Sequence, residues 1–429
     1  MSTEPHAEHD SPAHAPRRRT DTGPLASLRV RSFGRMWAAG GLWNISRWMT
    51  IFLGSYLVNQ LTGSPLAVQL AGTCFFLPMF LGGLVGGAVS DRFDRRRTVL
   101  RQLIGLVPLA LVMAVMVWSG LLEVWMLYLF AAAVGLGQVV DMTTRRALVN
   151  DLVGDRLFGN AMALEALSMA TGNMIGSLTG GAVIGLLGAG AAYALVATFY
   201  LICFTMMLTV APIARRGQAA GASQRAPSDA LREMRLDLVA GMRTLPTNRP
   251  FVSLLGVTAI VNLLFFSFMP MIPVLAKRFE VGPFLTGVLA SGLGLGMLIG
   301  SLLIVVLSPA RRGLVYVVGA LVAMAMLVAF ALLNVFILAL GALMLTGVCS
   351  AGFASVQTAL VMSVNTPDMR GRAMGLLSMA IGTLPFGMIL LGTLAERIGS
   401  HAAVVATSVT GMVALVLWLL RYPEVTRIA

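Results

Sequence analysis

Twelve stretches of about twenty predominantly apolar residues follow one another along this chain of 429 residues. A helix needs roughly 20 apolar residues to cross the hydrocarbon core of a bilayer, and within lipid it satisfies its own backbone hydrogen bonds. The pattern therefore predicts an all-α membrane protein with twelve transmembrane helices. The stretches cover residues 36–61, 66–90, 98–120, 124–147, 161–187, 189–213, 250–276, 284–307, 313–333, 335–360, 373–395 and 402–421.

The composition agrees with a chain embedded in lipid. Hydrophobic residues make up 57% of it and charged residues only 11%, whereas ordinary soluble domains carry about a quarter charged residues. The formal net charge of +13 raises the question of nucleic-acid binding, but the arginines lie between apolar stretches instead of lining one soluble face. We therefore expect the lipid bilayer, and no nucleic acid, as the partner of this chain.

The basic residues are distributed in a way that orients the helices. If the N-terminus lies in the cytoplasm, the intervals on the opposite side of the membrane receive only Lys277, Arg278 and Arg397. This is the positive-inside pattern. We expect both termini to be cytoplasmic and the chain to be a multi-pass protein of the bacterial inner (plasma) membrane.

Polar segments divide the chain into two halves. Residues 1–30 have no apolar core long enough for a signal peptide, and their Pro, His and Asp content predicts a disordered cytoplasmic tail. The longest polar interval, 214–249, is typical of a cytoplasmic linker. We expect an N-terminal six-helix half at 31–213, a C-terminal six-helix half at 250–421 and a second cytoplasmic tail at 422–429.

The two halves also share sequence in register. Three short matches have the same offset of 212 positions (359 − 147): 147–149 with 359–361, 159–162 with 371–374, and Gly180 with Gly392. Matches in one register indicate a parallel internal duplication. Two six-helix halves related by an axis along the membrane normal resemble the architecture of the major facilitator superfamily.

The interval between the second and third stretches combines a glycine, an Asp-Arg pair and clustered arginines, namely Gly87, Asp91, Arg92, Arg95 and Arg96. This spacing is similar to the loop signature of the major facilitator superfamily. Asp94 stands in place of the usual second glycine, which resembles the branch of macrolide-efflux and siderophore-exporting drug:proton antiporters. The resemblance implies a latch on the cytoplasmic side in the outward-facing state. The alternative is a basic loop that only satisfies the topology.

An acid, Asp141, lies one or two turns inside the cytoplasmic boundary of the fourth stretch, where a carboxylate is costly unless it is paired or protonatable. Asp141 is either a structural partner of Arg95 or Arg145, in a relay with Asp91, or a proton carrier. We favour the relay because guanidinium groups hold an acid ionised. Asp141 and Arg145 therefore join the predicted latch.

Small residues recur in the fifth stretch at Gly172, Gly176, Ser177, Gly180 and Gly181. Small residues every four positions let a partner helix approach closely. The spacing is similar to the antiporter signature of drug-efflux members, with Ser177 in place of a proline. It predicts a seam suited to rocking between the halves, with ordinary close packing as the alternative.

Arg47 is the most unusual residue of the first stretch. It follows Arg35 by about 18 Å of helix, which places it near the midplane, and Asn44 lies one turn before it. A charged group there faces a water-filled cavity or a partner. Arg47 either attracts an anionic substrate group or modulates a proton site on Glu165, or it forms a buried ion pair. Glu165, in the first turn of the fifth stretch, is alternatively an interfacial carboxylate favoured by the helix dipole.

Two residues of the seventh stretch, Asn262 and Phe266, precede Pro270 and Pro273. Prolines kink helices and so help gates to bend, and aromatic residues beside methionines suit a permissive cavity wall. We predict Asn262 and Phe266 as substrate contacts, with simple packing as the alternative.

The function expected from these features is transport. No cluster of His, Cys, Asp or Glu in the sequence has metal-ligand spacing and no phosphate-binding loop is present, so we expect no enzyme, no metal and no cofactor. The resemblance implies a secondary active transporter that works by alternating access and exports amphipathic drugs or siderophores, driven by the proton gradient. The alternatives are a proton-coupled uptake symporter for an anionic metabolite and a membrane sensor or scaffold. One chain can enclose the pathway, so we expect a monomer.

Overall fold

A computed structural model of the chain describes residues 23, 25–90, 95–210, 248–307, 309–366 and 369–428. Within these ranges, the side chains of residues 81–90, 95, 143, 146, 147, 150 and 155 lie outside the description. The predicted tail at 1–30 and the predicted linker at 214–249 fall mostly on residues that are not described. The division into halves therefore stays a prediction.

The described elements are helical. The first half of the chain contains α1 (Arg31–Thr62), α2 (Pro65–Ser90), α3 (Arg95–Trp118), α4 (Val124–Leu187) and α5 (Ala189–Leu208). The second half contains α6 (Arg249–Leu264), α7 (Ile272–Ala276), α8 (Pro283–Leu307), α9 (Arg312–Leu332), α10 (Phe336–Val364), α11 (Arg370–Ile381), α12 (Leu384–Ile398) and α13 (Ser400–Arg421). Short 3-10 helices cover Ala26–Arg29, Phe266–Met271, Lys277–Phe279 and Pro423–Arg427.

Ten helical segments of the described residues are long and apolar enough to cross a membrane. They include two segments of α4, Val124–Met142 and Arg156–Leu187, and the composite segments Arg249–Phe279 and Arg370–Ile398. The polar helix α1 is not among the ten, and in α2 the apolar segment is the shorter Pro65–Phe80. The twelve crossings expected from the sequence therefore stay a prediction.

Helix α4 contains two crossing segments because the backbone breaks at Gly154. The φ and ψ angles of this residue are 69° and 171°, a combination that glycine adopts because it has no Cβ. We call the parts before and after Gly154 the first and second segments of α4. The second segment begins several residues before the predicted stretch at 161–187, so that predicted start is wrong.

Two stretches predicted as single helices are interrupted. The stretch 250–276 is divided by the 3-10 helix Phe266–Met271, where Pro270 lacks the N–H that a regular helix would use. The stretch 373–395 is divided between Ile381 and Leu384, and Pro385 follows in the first turn of the second part. Proline at that position suits a new helix start.

Single glycines connect two pairs of helices. Gly188 alone separates α4 from α5, and Gly399 alone separates α12 from α13. Their φ angles are 85° and 86°, values at which a side chain would clash with the backbone. These glycines therefore set the ends of four helices.

One end of the bundle brings the two halves together. Ser64 donates to Glu396, Asn59 donates to Pro273, and Gly185 lies against Pro283 and Phe284. The turns at 63–64, 188 and 399 therefore share one end of the bundle, which we call the distal end. From there towards the middle of the bundle, α2 contacts α12, the second segment of α4 contacts α8, and α1 contacts α7.

Candidate functional site

The charged centre of the first half is an ion pair between Asp141 and Arg145, one turn apart on α4. Arg145 Nε lies 3.0 Å from both carboxylate oxygens, and Nη2 lies 2.5 Å from Oδ1. Nη1 donates to the backbone oxygen of Met36 on α1 at 3.2 Å, and the guanidinium occupies the space that a Cβ at Gly40 would need. Both charged side chains are buried. The pair therefore gives Asp141 a charged partner on α4 and ties α4 to α1.

The rest of the predicted latch is described only in part. Four of its members lie outside the described residues or have undescribed side chains or surroundings: Gly87, Asp91, Arg92 and Arg95. Arg96 donates through Nε to the backbone oxygen of Met207 at 3.2 Å and through Nη2 to that of Leu208 at 2.8 Å. It therefore caps the last carbonyls of α5 within its own half. A latch role for these residues stays a prediction.

Glu165 lies beside this ion pair. Its Oε1 is buried and accepts no hydrogen bond from a described residue, and the charges of Arg145 and Asp141 both act on it. The prediction that Glu165 occupies the first turn of its helix is wrong, because it lies about three turns beyond the break at Gly154. A helix dipole acts mainly within the first turn, so it does not account for this carboxylate.

Arg47 is a buried cation at the middle of α1. It is 5% exposed, its Nε and Nη2 donate to no described group, and its guanidinium carbon lies 5.1 Å from the ring centroid of Trp48. The charge of Asp141 acts on it, but no described carboxylate comes within ion-pair distance of 4.0 Å. Among the described residues, the ion-pair alternative is therefore not observed. Asn44, one turn earlier, donates to Ser168 Oγ on α4 at 3.2 Å.

Three glycines of the predicted seam face α1 in their own half. A Cβ built on Gly172 would lie 2.6 Å from Asn44 Cβ, and one on Gly176 would lie 2.5 Å from the backbone oxygen of Ile45. A Cβ on Gly180 would lie 3.0 Å from the side chain of Phe52, further along α1. These contacts fix α1 against α4, so these three glycines pack within their own half, and a role in rocking stays a prediction.

The other face of the same segment does lie between the halves. A Cβ on Gly181 would lie 2.8 Å from the α-carbon of Gly287 on α8, and one on Gly287 would lie 2.7 Å from the backbone oxygen of Ser177. One turn before Ser177, Asn173 Oδ1 would lie 2.6 Å from a Cβ on Gly294. The seam between the halves therefore consists of Asn173, Ser177 and Gly181 against two glycines of α8.

Asn173, Gly287 and Gly294 were missed by the sequence-based prediction. The two glycines lie seven residues apart (294 − 287), which is about two helical turns and places them on one face of α8. This spacing was available in the sequence. Which helix they contact follows only from the tertiary fold.

A cavity lies between the halves near the middle of the bundle. Its walls are mainly apolar, with polar groups from Ser55, Asn173 and Ser177, and the buried indole Nε1 of Trp48 has no hydrogen-bond partner among the described residues. Apolar walls with a few polar groups are typical of small-molecule sites. The lining residues are Trp48, Ile51, Phe52, Ser55, Asn173, Ser177, Met269, Ile272, Pro273, Ala290 and Leu293.

The predicted substrate contacts of the second half are engaged elsewhere. Asn262 Nδ2 donates to the backbone oxygen of Thr258 at 2.9 Å. Phe266 packs against Phe353, with ring centroids 5.8 Å apart. Neither residue lines the cavity; residues one turn or more further along, Met269 and Pro273, do.

The duplication gives the charged centre a neutral counterpart. At the offset of 212, Asp141 corresponds to Phe353 (141 + 212) and Arg145 to Gln357 (145 + 212). Gln357 Nε2 lies 3.4 Å from the hydroxyl oxygen of Tyr316 in a buried, uncharged network. The ionic pair of this position is therefore confined to the first half.

The sequence matches a known family over nearly its whole length. Residues 22–428 match the family MFS_3, described as transmembrane secretion effector, and this range contains every helix from α1 to α13. The chain belongs to this family of the major facilitator superfamily. It is a multi-pass membrane transporter and not an enzyme.

Curated relatives of this chain include exporters. It is 26% identical over 376 residues to the enterobactin exporter EntS of Shigella flexneri, with 86% of each chain covered. It is 28% identical over 390 residues to the multidrug efflux pump Tap of Mycolicibacterium fortuitum, with 87% of this chain and 92% of that protein covered.

Solved structures show the same fold. A bacterial homologue of the human lysosomal transporter Spinster, in an inward-facing and unoccupied conformation, superposes with a TM-score of 0.73 and 15% identity. That comparison covers 94% of this chain and 99% of the other. The inward-open xylose transporter XylE of Escherichia coli gives a TM-score of 0.66 at 14% identity, covering 93% and 96%.

Proposed function

We propose that this protein is a proton-coupled efflux transporter that exports amphipathic small molecules, such as drugs or siderophores, by alternating access. Two curated relatives named for siderophore export and multidrug efflux support this direction of transport. The mainly apolar cavity between the halves supports an amphipathic substrate, because its few polar groups can orient a ligand while its walls bury it.

The proposal includes a topology. The chain crosses the bacterial inner membrane twelve times with both termini in the cytoplasm, so the distal end faces the outside. The distribution of basic residues supports this orientation. The transporter works as a monomer without a bound cofactor, and the proton gradient supplies the energy.

The proposal of proton coupling is supported by the surroundings of Glu165. Its buried Oε1 has no hydrogen-bond donor among the described residues, whereas the neighbouring Asp141 is held by three contacts from Arg145. The guanidinium contacts both oxygens of Asp141 and occupies the positions at which a proton would bind, whereas Oε1 of Glu165 is left open to one. Glu165 is therefore the proton carrier, and the Asp141–Arg145 pair is its fixed electrostatic partner.

The same contacts connect the proton to the cavity. Protonation of Glu165 removes a negative charge that acts on Arg145. The Arg145 guanidinium also holds the backbone of α1 at Met36. Helix α1 carries Trp48 into the cavity wall. A change of charge at Glu165 thus acts on the helix that contacts the substrate.

The test uses inverted membrane vesicles with an acidic interior and a dye that reports proton release. Macrolides, other amphipathic drugs and catecholate siderophores are added in turn to vesicles with the wild-type protein, Glu165→Gln, Asp141→Asn or Arg47→Ala. Glu280→Gln is the matched control, because Glu280 is an exposed acid at the distal end. We expect compound-dependent proton release from the wild type and the control, and its loss in Glu165→Gln.

The outcomes separate the parts of the proposal. Full release by Glu165→Gln would show that another acid carries the proton. Release by Asp141→Asn would leave Asp141 with a structural role. No release with any compound, together with proton-dependent accumulation of an anion by whole cells, would overturn efflux.

That last outcome would favour a second candidate, a proton-coupled uptake symporter for an anionic metabolite. The buried guanidinium of Arg47 favours it, because its Nε and Nη2 donate to no described group and a cation near the middle of a transporter attracts anions. Accumulation that fails in Arg47→Ala would support the symporter.

A further inference from the structure

The interrupted region between α6 and α7 presents backbone oxygens whose usual helical donors are missing. Pro270 has no N–H to donate to the oxygen of Ser267, three residues before it in the 3-10 helix. The N–H of Lys277 donates to Val274 instead of Pro273, so the Pro273 oxygen lacks the donor of a regular α-helix. Buried backbone oxygens need another donor.

Two side-chain amides of the opposite half supply it. Gln69 Nε2 on α2 donates to the Ser267 oxygen at 2.9 Å, and Asn59 Nδ2 on α1 donates to the Pro273 oxygen at 3.3 Å. Gln69 is 0% exposed and Asn59 is 2% exposed. Each contact joins the first half to the second, and both lie between the distal end and the cavity, where Pro273 is part of the wall.

In each of these side-chain amides the nitrogen has a hydrogen-bond partner but the oxygen has none among the described residues. Asn59 Oδ1 and Gln69 Oε1 are buried and accept no hydrogen bond from a described residue. A buried oxygen without a donor opposes the conformation that buries it, and opening would let water reach it. The two donors stabilise distal closure while the two orphaned oxygens oppose it, which keeps closure reversible.

A third contact lies at the rim of the same interface. Glu396 at the end of α12 accepts hydrogen bonds from Ser64 Oγ and from the backbone N–H of Leu66, at the start of α2. Glu396 is exposed, and an exposed contact of this kind contributes little. The buried amides therefore matter more than the rim.

We propose that Asn59 and Gln69, which we call the distal amide pair, set the equilibrium between distally closed and distally open states. They do so by binding two backbone oxygens, those of Ser267 and Pro273, that lack their regular helical donors in the interrupted region. This proposal rests on alternating access from the proposed function, but not on proton coupling or on any substrate. Loss of each amide bond shifts the ratio of the two states by about 2- to 10-fold towards the open state.

The experiment measures spin-label distances in the full-length protein in lipid nanodiscs without substrate. The three cysteines, Cys74, Cys203 and Cys349, are first replaced by alanine. One label pair, at Leu61 and Ile398, reports the distal end, and both positions are 49% exposed. A second pair, at Arg156 and Leu307, reports the opposite end, and both positions are exposed.

Asn59→Leu, Gln69→Leu and their combination remove the donors while keeping a similar side-chain volume. Gln102→Leu is the matched control, because Gln102 on α3 is also an amide with buried, unpartnered atoms but makes no described hydrogen bond to the other half. We expect the population with long distal distances to grow in each variant and most in the double variant. Alternating access requires the opposite end to close when the distal end opens, so the distance between the labels at Arg156 and Leu307 should shorten. The control Gln102→Leu should give the wild-type distances at both ends.

Three results would overturn the proposal. The first is an unchanged distal distance in the leucine variants, and the second is an equal change in the control Gln102→Leu. The third is a broader distance distribution at both ends, which would mean that the amides stabilise the whole fold instead of the closed distal end. If the spin-label distances change as expected but the proton-release assay shows no release, the proposed proton coupling is overturned and the proposal for the distal amide pair stands.

Discussion

Gly181 on α4 and Gly287 on α8 bring helices of opposite halves into backbone contact. A Cβ built on Gly181 would lie 2.8 Å from the α-carbon of Gly287, and one built on Gly287 would lie 2.9 Å from that of Gly181. Neither position has room for a methyl group unless the helices move apart. The two halves therefore meet at this point through their main chains.

Gly287→Ala should push α8 away from α4. Overpacking of this kind costs about 1–3 kcal/mol, and we expect it to lengthen the spin-label distance between Leu187 and Phe284, one exposed residue on each helix. Gly341→Ala on α10 is the control, because a Cβ there meets nothing within 4 Å. Equal distances in the two variants would contradict the contact.

Asp141→Asn should destabilise the fold by leaving the Arg145 guanidinium buried without a carboxylate. Breaking a buried pair from one side costs about 3–5 kcal/mol, and thermal unfolding in detergent measures the loss. The double variant Asp141→Asn/Arg145→Gln should recover part of it, because glutamine occupies the equivalent position, Gln357, in the second half. A double variant no more stable than the single one would contradict the prediction.

Arg47→Met should make the fold more stable, in contrast to most substitutions of buried residues. It removes a buried cation without an ion-pair partner among the described residues, and replacing buried charge by apolar volume stabilises by about 1–4 kcal/mol. Arg35→Met on the same helix is the control, since Arg35 is exposed and donates to the backbone oxygen of Thr209. Its unfolding midpoint should hardly change. A destabilised Arg47→Met would indicate a bound partner.

Gly154→Ala and Gly159→Ala should have opposite effects. Gly154 has a φ of 69°, and alanine in such a conformation costs about 1–3 kcal/mol. Gly159 lies in regular helix and a Cβ there meets nothing within 4 Å, so alanine should stabilise it by up to about 1 kcal/mol. The thermal unfolding midpoints of the two variants, compared with the wild type, show whether each substitution stabilises or destabilises the fold. A neutral Gly154→Ala would show that the break in α4 is not needed.

Helix boundaries could be predicted where one residue decides them. The predicted stretches ending at 187 and beginning at 189 agree with the ends of α4 and α5, because Gly188 cannot continue a helix in its observed conformation. The interruption between α6 and α7 could not be placed, because a proline shows that a helix bends but not how many residues leave the regular pattern.

The candidate site could be predicted only where its partners are close in sequence. Asp141 and Arg145 are four residues apart, and on a helix that spacing brings side chains together. The burial of Arg47 followed from its depth in α1, but its lack of an ion-pair partner depends on helices far along the chain. The glycines of α4 repeat every four residues on two faces, and sequence alone does not show which face meets the other half.

The one-residue links at Gly188 and Gly399 leave no slack at the distal end. When the second segment of α4 moves against α8, the start of α5 must move with it, and when α12 moves against α2, the start of α13 must follow. Each link therefore couples the movements of two neighbouring helices of one half. The 3-10 helix Phe266–Met271 is a place where the second half can bend, because Pro270 removes a helical hydrogen bond there.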